Sequence, residues 1–376
     1  MKRKSSEKRS KVKFGVIGLG HIAQSAVLPA FLHAKKDVEL AALISGDAKK
    51  LKVLAKKYKV ASTYSYEEFD QCLESGIDAL YIALPNALHA AYAVRALKKG
   101  VHVLCEKPLA VTEEECQKII QAAKSSGAKL MTAYRLHFDE ANLKAVELAK
   151  TKIGDPRFFS SNFSYQIQDR KNIRLREEEG GPLWDIGIYC LNAARYVFRD
   201  EPTEVMAMAT KNTDARFTEV PESVAVLLRF PGERLASFNV SFGSEATASF
   251  SVVGSKGKIL LENAYEYVEK RELELKVGEK TKKFSFKKVD QFAPELIYFA
   301  DCIRNNRNPE PSGAEGLADV RALLAIEESI QKKKMVSLGR IPRSIAEKKR
   351  PTIKLMMRRP PVKKPVTIHT TSPSGG

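Results

Sequence analysis

The sequence predicts an α/β fold: an N-terminal doubly wound parallel sheet, then a C-terminal α+β domain with a large, mostly antiparallel open sheet. Three observations carry this. A short β-branched and apolar run, 12–17, passes through Gly18-Leu-Gly20-His21-Ile22-Ala23 into a helical stretch, 25–32. Apolar strands and helical stretches then alternate to about residue 134. After Tyr134 the alternation gives way to long strand-like runs, several of them alternating apolar and polar residues. The first pattern implies parallel strands with helical crossovers, and the last implies antiparallel strands with one face wet.

Each small residue of the first turn has a physical reason. Gly18 permits a tight turn, Gly20 lets backbone approach a pyrophosphate, and Ala23 lets the helix pack close to the strand. The helix start that follows, with His21 and Ile22, supplies N–H groups and partial positive charge for phosphates. Strand, glycine turn and helix in that order give the dinucleotide-binding fingerprint of a Rossmann domain in its G-x-G-x-x-A form.

The second strand, 38–44, ends in Ser45-Gly46-Asp47-Ala48-Lys49-Lys50. An acidic residue at this point would accept hydrogen bonds from an NAD ribose. Ser45 stands there instead, with two lysines close behind. A hydroxyl and an ammonium suit a 2′-phosphate, so NADP is the expected cofactor, and Asp47 keeps NAD open. The plainer reading is that these lysines begin the exposed face of a helix over 49–58. An apolar strand, 77–84, is broken by Pro85-Asn86, and a helix over 89–99 ends at Gly100. The strand 101–105 carries Glu106-Lys107-Pro108 at its carboxyl end, where an open α/β sheet binds ligands. Thr112 with Glu115 opens the next helix with a capping-box pattern, and 129–133 is a further strand.

Beyond Tyr134 the sequence predicts a helix over 140–150 and strands over 157–168, 203–210, 222–230, 235–242, 247–254, 257–261 and 267–277. A helix begins near Asp185, and a late helix spans 314–333. Past Gly339 the chain carries six prolines among basic residues and reads as an extended, disordered tail. The expected organisation is a basic arm over 1–11, a nucleotide-binding domain over 12–134, a substrate and oligomerisation domain over 135–338, and a basic tail over 339–376. No internal repeats are evident.

The 376 residues carry a formal charge of +18. Residues 1–13 hold a net +6 and residues 340–376 a net +9, so the body between them is nearly neutral. Solvated tails are the plainer reading of that charge, and contact with nucleic acid or an acidic partner is the sharper one. The basic N-terminus lacks the apolar core of a signal peptide, and no apolar run is long enough to span a membrane. Five scattered cysteines without C-x-x-C spacing point to reduced, buried thiols in a cytoplasmic protein, with no metal site.

Lys107 is placed where a bound nicotinamide would lie, and can hold a substrate hydroxyl and stabilise an oxyanion. Asp185 and Tyr189, four residues apart, share one face of a helix. A tyrosine phenol has a pKa of about 10, too high for a good base near neutrality, and a cationic neighbour lowers it. Lys107 and Tyr189 therefore form a candidate proton-transfer pair, with Asp185 as orienter.

Together, Gly18-Leu-Gly20-His21-Ile22-Ala23, Leu84-Pro85-Asn86-Ala-Leu-His89, Glu106-Lys107-Pro108 and Asp185-Ile-Gly187-Ile-Tyr189 resemble the glucose-fructose oxidoreductase / inositol dehydrogenase / rhizopine-catabolism family of NAD(P)-dependent sugar oxidoreductases. The likeness covers roughly residues 11–338 and is closest to the glucose-fructose oxidoreductase branch. Ser45-Gly46-Asp47-Ala48-Lys49-Lys50 looks like that branch's NADP-binding turn, which implies Ser45 and Lys50 at the 2′-phosphate and Gly46 at the cofactor. Tyr134-Arg135-Leu-His-Phe-Asp139 looks like its segment after the last Rossmann strand. The resemblance implies Lys107 and Tyr189 as catalytic, Asp185 as support, and Arg135 and Arg174 near substrate or nicotinamide. It also implies that Leu84, Pro85, Asn86, His89 and Glu106 meet the cofactor, and that the protein is a homodimer or homotetramer. The loop reads Gly180-Gly181-Pro182 where a third glycine is common in the family. The expected activity is hydride transfer between NADP and a sugar or cyclic polyol, as in an aldose dehydrogenase or a glucose-fructose oxidoreductase. The rival is a nucleotide-sensing or scaffold protein whose basic tails bind nucleic acid or an acidic partner.

Overall fold

The structure, a computed structural model, describes residues 10–210, 214–267 and 269–339. All but the last two residues of the expected arm, and all of the expected tail but Gly339, lie outside this range.

Strands β1 (Val12–Ile17), β2 (Val38–Ile44), β3 (Ser62–Tyr64), β4 (Ala79–Ile82), β5 (His102–Glu106) and β6 (Leu130–Ala133) form one sheet in the order β3-β2-β1-β4-β5-β6. Every pairing in it is parallel. β4 and β6 bury all their residues, as strands covered on both faces must. The covering helices are α1 (Leu28–Ala34), α2 (Ala48–Tyr58), α3 (Phe69–Glu74), α4 (His89–Lys98) and α5 (Glu113–Ser126). The Thr112 hydroxyl accepts from the Glu115 N–H at 3.1 Å, capping α5 as the sequence predicts. The first helix departs from expectation: a wide π-type turn, Ala23–Val27, leads into α1.

The second sheet holds β7 (Pro156–Ser164), β8 (Glu204–Ala209), β9 (Ser223–Phe230), β10 (Arg234–Ser241), β11 (Thr247–Gly254), β12 (Gly257–Glu262), β13 (Arg271–Val277), β14 (Lys280–Phe286) and β15 (Val336–Ser337). Its order is β14-β13-β12-β11-β7-β10-β9-β8-β15. All pairings are antiparallel except β7 with β10. The in-out alternation read from the sequence sets its two faces. Phe159, Phe163, Val226, Leu228, Phe238 and Val252 point into the core, while Phe158, Leu227 and Val253 are exposed on the other side. Helices α6 (Glu140–Thr151) and α7 (Ile188–Phe198) pack on strands of this sheet, and α7 is entered through a second wide turn, Leu183–Gly187.

Sequence reasoning passed over β3, α3, β14, β15 and the helix α8 (Phe292–Arg304). β14 reads KTKKFSF, an edge strand whose lysines hide its period. Pro294 in the first turn of α8 obscured a helix whose apolar side has an unexpected target. This helix returns to the first sheet: Phe299 lies 6.3 Å, centroid to centroid, from Phe14 of β1. The last helix, α9 (Gly313–Lys332), packs against both α5 and β8. The two sheets are thus tied by helices from the C-terminal part of the chain.

Under α7 and α9 lies a fully buried arginine. Arg195 donates through Nε to Glu201 at 2.6 Å, through Nη1 to Asp319 at 2.6 Å, and through Nη2 to Glu315 at 3.2 Å. Burial pushes the Glu315 and Asp319 carboxyls up, and Arg195 opposes that shift. Removing the cation leaves three buried acids uncompensated. Arg195→Met should therefore cost about 3–5 kcal/mol, read by chemical denaturation. Arg229→Met, which breaks a solvent-exposed pair with Glu204, should stay within about 1 kcal/mol.

Candidate active site

The strand order reverses between β1 and β4, and a cleft opens at the carboxyl ends of the strands there. It has a volume of about 420 Å³. The turn after β1 contributes Gly20, His21 and Ile22; the end of β4 contributes Leu84, Pro85 and Asn86; β5 contributes Glu106 and Lys107; the segment after β6 contributes Arg135. From the second sheet come Asp185 and Tyr189 at the start of α7, and Arg174 from the loop before it. The fold thus gathers twelve of the expected site residues around one space, from segments as far apart as residues 20 and 189.

The remaining expected residues take other places. Gly18 has a φ of +87°, and a Cβ on it would stand 2.3 Å from the Ala83 carbonyl oxygen, so the turn after β1 requires glycine. Ala23, fully buried, starts the wide turn ahead of α1. His89 is also fully buried, behind the cleft wall. Its ring nitrogens lie 2.8 Å from the Pro108 carbonyl oxygen and 2.9 Å from that of Leu84, so it ties the ends of β4 and β5 together. Ser45, Gly46 and Lys50 lie at the end of β2 and the start of α2.

Asp185 is the electrostatic centre of the cleft. Lys107 Nζ donates to its Oδ1 at 2.9 Å and to its backbone carbonyl at 2.8 Å. Arg174 Nε donates to Oδ2 at 2.8 Å, and the Tyr165 hydroxyl donates to the same oxygen at 3.1 Å. Burial pushes the Asp185 carboxyl up, but Lys107 and Arg174 together hold it well below the usual carboxylate range. Burial likewise pulls the Lys107 ammonium down, and Asp185, Tyr189 and Glu106 more than offset this, so its pKa lies above that of a free lysine. Lys107 is therefore a cation throughout the neutral range.

Two cations face the ring of Tyr189. Lys107 Nζ lies 5.0 Å and Arg135 Cζ 4.8 Å from its centroid. Arg135 is held by the Gln291 side chain at 2.6 Å and the Tyr265 carbonyl oxygen at 2.5 Å, and stands 5.2 Å from the Tyr267 ring. Glu106 accepts from the Tyr81 hydroxyl at 2.7 Å. Its carboxyl is pushed up by burial against the opposing effects of Tyr81, Lys107 and Arg135.

Sequence reasoning missed Tyr165, Tyr265, Tyr267, Phe292 and Glu179, all in the cleft wall. No motif marks them, because they come from loops, a strand end and the start of α8, which only the fold brings together. It also missed Tyr66, whose phenol is pushed up by burial with Gly46 and Ser45 opposing, which places it at the end of β2.

A Rossmann sheet with a second sheet closing over its switch point, and a lysine, an aspartate and a tyrosine meeting in that cleft, defines a nucleotide-dependent oxidoreductase. Comparison with known proteins agrees. Residues 12–134 match the oxidoreductase family with an NAD-binding Rossmann fold, and residues 145–260 match the GFO/IDH/MocA C-terminal domain. The NADP(+)-dependent D-xylose 1-dehydrogenase of Haloarcula marismortui is 32% identical over 337 residues, 87% of this chain and 93% of that protein. The trans-1,2-dihydrobenzene-1,2-diol dehydrogenase of Homo sapiens is 28% identical, over 82% of this chain and 94% of its own. The crystal structure of the aldose-aldose oxidoreductase of Caulobacter crescentus, complexed with glycerol, superposes with a TM-score of 0.83 at 33% identity, covering 87% of this chain and 100% of that one. The chain belongs to the glucose-fructose oxidoreductase / inositol dehydrogenase / rhizopine-catabolism family of oxidoreductases.

The Asp185 cluster has a stability consequence with a definite sign. The folded-state pKa of Asp185 is depressed, so its contribution is fully present above the unfolded value, about 3.9, and is lost as pH falls through the folded value. The stability difference between wild type and Asp185→Asn should be largest above about pH 5 and should shrink steadily toward pH 2. Denaturant midpoints across that range check it.

Proposed function

We propose that this protein is an NADP-dependent oxidoreductase of neutral aldoses or polyols, with Tyr189 as proton carrier and Lys107 as the cation that holds the reacting oxygen. The observation that carries the reading is the cationic Lys107 set against the ring of Tyr189. Lys107, held cationic by Asp185, can stabilise a developing alkoxide but cannot take a proton near pH 7. Tyr189, whose ring stands 5.0 Å from the Lys107 ammonium and 4.8 Å from the Arg135 guanidinium, is the hydroxyl-bearing side chain placed beside it to carry the proton. In oxidation Tyr189 takes the substrate hydroxyl proton, and in reduction it returns one to the carbonyl oxygen. Bound NADP supplies the hydride acceptor or donor at its nicotinamide. Asp185 orients Lys107, and the walls bring the reacting atoms together, which is worth about 7–11 kcal/mol of barrier.

The residues present fit NADP. The glycine turn requires Gly18, and the helix behind it starts at the cleft. At the end of β2 the Asp47 carboxylate caps α2 by accepting from the Lys50 N–H at 3.0 Å. Lys50 is buried, its ammonium pulled down by burial with Asp47 opposing, and it supplies a cation at that corner for a 2′-phosphate. Ser45, Gly46 and Tyr66 complete that corner. The cofactor and sugar chemistry of the xylose dehydrogenase and the aldose-aldose oxidoreductase support the same reading. Five unpaired, buried cysteines suit a reducing compartment such as the cytoplasm. The exposed apolar side chains on the outer face of the second sheet, Phe158, Met206, Met208 and Leu227 among them, suit pairing with a second copy.

Lys107→Ala and Tyr189→Phe should each lower kcat by about 10²- to 10⁴-fold while NADP still binds, as read by steady-state kinetics and nucleotide titration. Near-wild-type turnover in both overturns the assignment. Ser45→Asp should move the NADP/NAD ratio of kcat/KM by about tenfold or more toward NAD, because a carboxylate repels a 2′-phosphate and accepts from a ribose.

A further inference from the structure

Glu179 is a cleft-lining carboxylate that the mechanism does not use. It ends a short turn, Glu177–Glu179, in the loop between β7 and α7, and faces the Asn86 turn of the first sheet. Its Oε2 accepts from the Asn86 backbone N–H at 3.4 Å, and its carbonyl oxygen accepts from Asn86 Nδ2 at 3.3 Å. Its Oε1 is shut off from solvent and has no hydrogen-bond partner among the described residues. On the same loop, Arg174 commits only Nε to Asp185; its Nη groups make no hydrogen bond among the described residues. A buried acceptor without a donor is costly, and the Arg174 guanidinium, about a third exposed, lines the same cleft. One ligand chemistry answers both: adjacent hydroxyls, each of which donates and accepts.

We infer that Glu179, with Arg174 beside it, recognises a hydroxyl of the substrate remote from the reacting carbon and so determines which polyhydroxylated substrates this cleft takes. The inference rests on the sugar or polyol reading above. The Lys107 end of the cleft holds the reacting oxygen, while the Glu179 end reads the far side of the ring or chain. Both ionisation states serve. Burial pushes the Glu179 carboxyl up to about 7, with Asp185 and Glu178 adding to the shift and Asn86 and Arg174 opposing it. As a carboxylate it accepts from a hydroxyl, and as a neutral acid it also donates. A site that satisfies its polar groups only with a substrate hydroxyl rejects the analogue lacking it.

The test uses the full chain with saturating NADP, and D-xylose, D-glucose and their monodeoxy analogues as probes. Glu179→Ala should raise KM for the parent sugars by about 10- to 100-fold, with kcat falling less than threefold and NADP affinity held. Wild type should discriminate strongly against one monodeoxy sugar, and Glu179→Ala should turn it over as well as the parent. Glu179→Gln keeps an acceptor oxygen and should recover part of the lost affinity; thermal melts establish that both variants fold. Unchanged KM values and unchanged deoxy discrimination overturn the inference. So does a parallel loss of NADP affinity, which makes Glu179 a clamp on the Asn86 turn and nothing more. If wild type turns over no sugar or polyol, the proposed function itself has failed. The inference is then read by titrating the same compounds into the NADP-bound protein, and equal binding to wild type and Glu179→Ala overturns it.

Discussion

A single carboxylate holds the two sheets to a common purpose. Asp185 stands at the entrance of α7, among the elements of the second sheet, yet it binds Lys107 from the end of β5 in the first sheet. Arg174 and Tyr165 occupy its other oxygen. Without Asp185 the buried Lys107 ammonium would lose its hydrogen-bonded counter-ion, and burial would pull it toward neutrality. Without Lys107 and Arg174 the carboxylate would carry the same penalty. The position of Tyr189 follows from theirs, since it lies one helical turn beyond Asp185 and its ring meets the same ammonium. The wide turn Leu183–Gly187 brings both residues to the cleft from one short segment.

This arrangement requires a stiff support, which the shared helices supply. α8 leaves the second sheet and buries Phe292, Leu296 and Phe299 against the first. Its first residues carry Gln291, which holds Arg135 on one side and Asp139 on the other. α9 brings Glu315 and Asp319 onto Arg195 of α7, so the helix that carries Tyr189 is pinned from behind by a buried ion cluster. Such a cluster contributes little net free energy compared with a well-packed apolar core, but it is exacting about geometry, because a displaced partner leaves an uncompensated charge.

The cleft is charged on every side, and most of its cations are already engaged. Lys107 faces Asp185 and Arg135 faces Gln291 and the Tyr265 carbonyl, so neither offers a free pole to an anionic substrate. Aromatic rings from Phe163, Tyr165, Tyr189, Tyr265 and Tyr267 line the same space. Apolar ring faces together with convergent polar groups suit a compact, hydroxyl-bearing molecule.

Much of this was legible in the chain itself. The Gly18 turn, the strand and helix alternation to residue 134, the in-out period of the second sheet, and the i, i+4 spacing of Asp185 and Tyr189 are local patterns. Backbone sterics, side-chain period and helix spacing write them into neighbouring residues. Lys107, 78 residues before Asp185, was joined to that pair by its place at a strand end and by the family resemblance. What the sequence determined alone was therefore most of the elements, and the residue types at the ends of β1, β2 and β5 and at the start of α7. Tertiary structure decided the rest. It sent α8 back to the first sheet, placed His89 behind the cleft wall as a tie between carbonyl groups, and set Glu179 against Asn86 with one oxygen unpartnered. These outcomes depend on which surfaces meet in the folded chain, and such packing leaves no period or spacing in the residues that it joins.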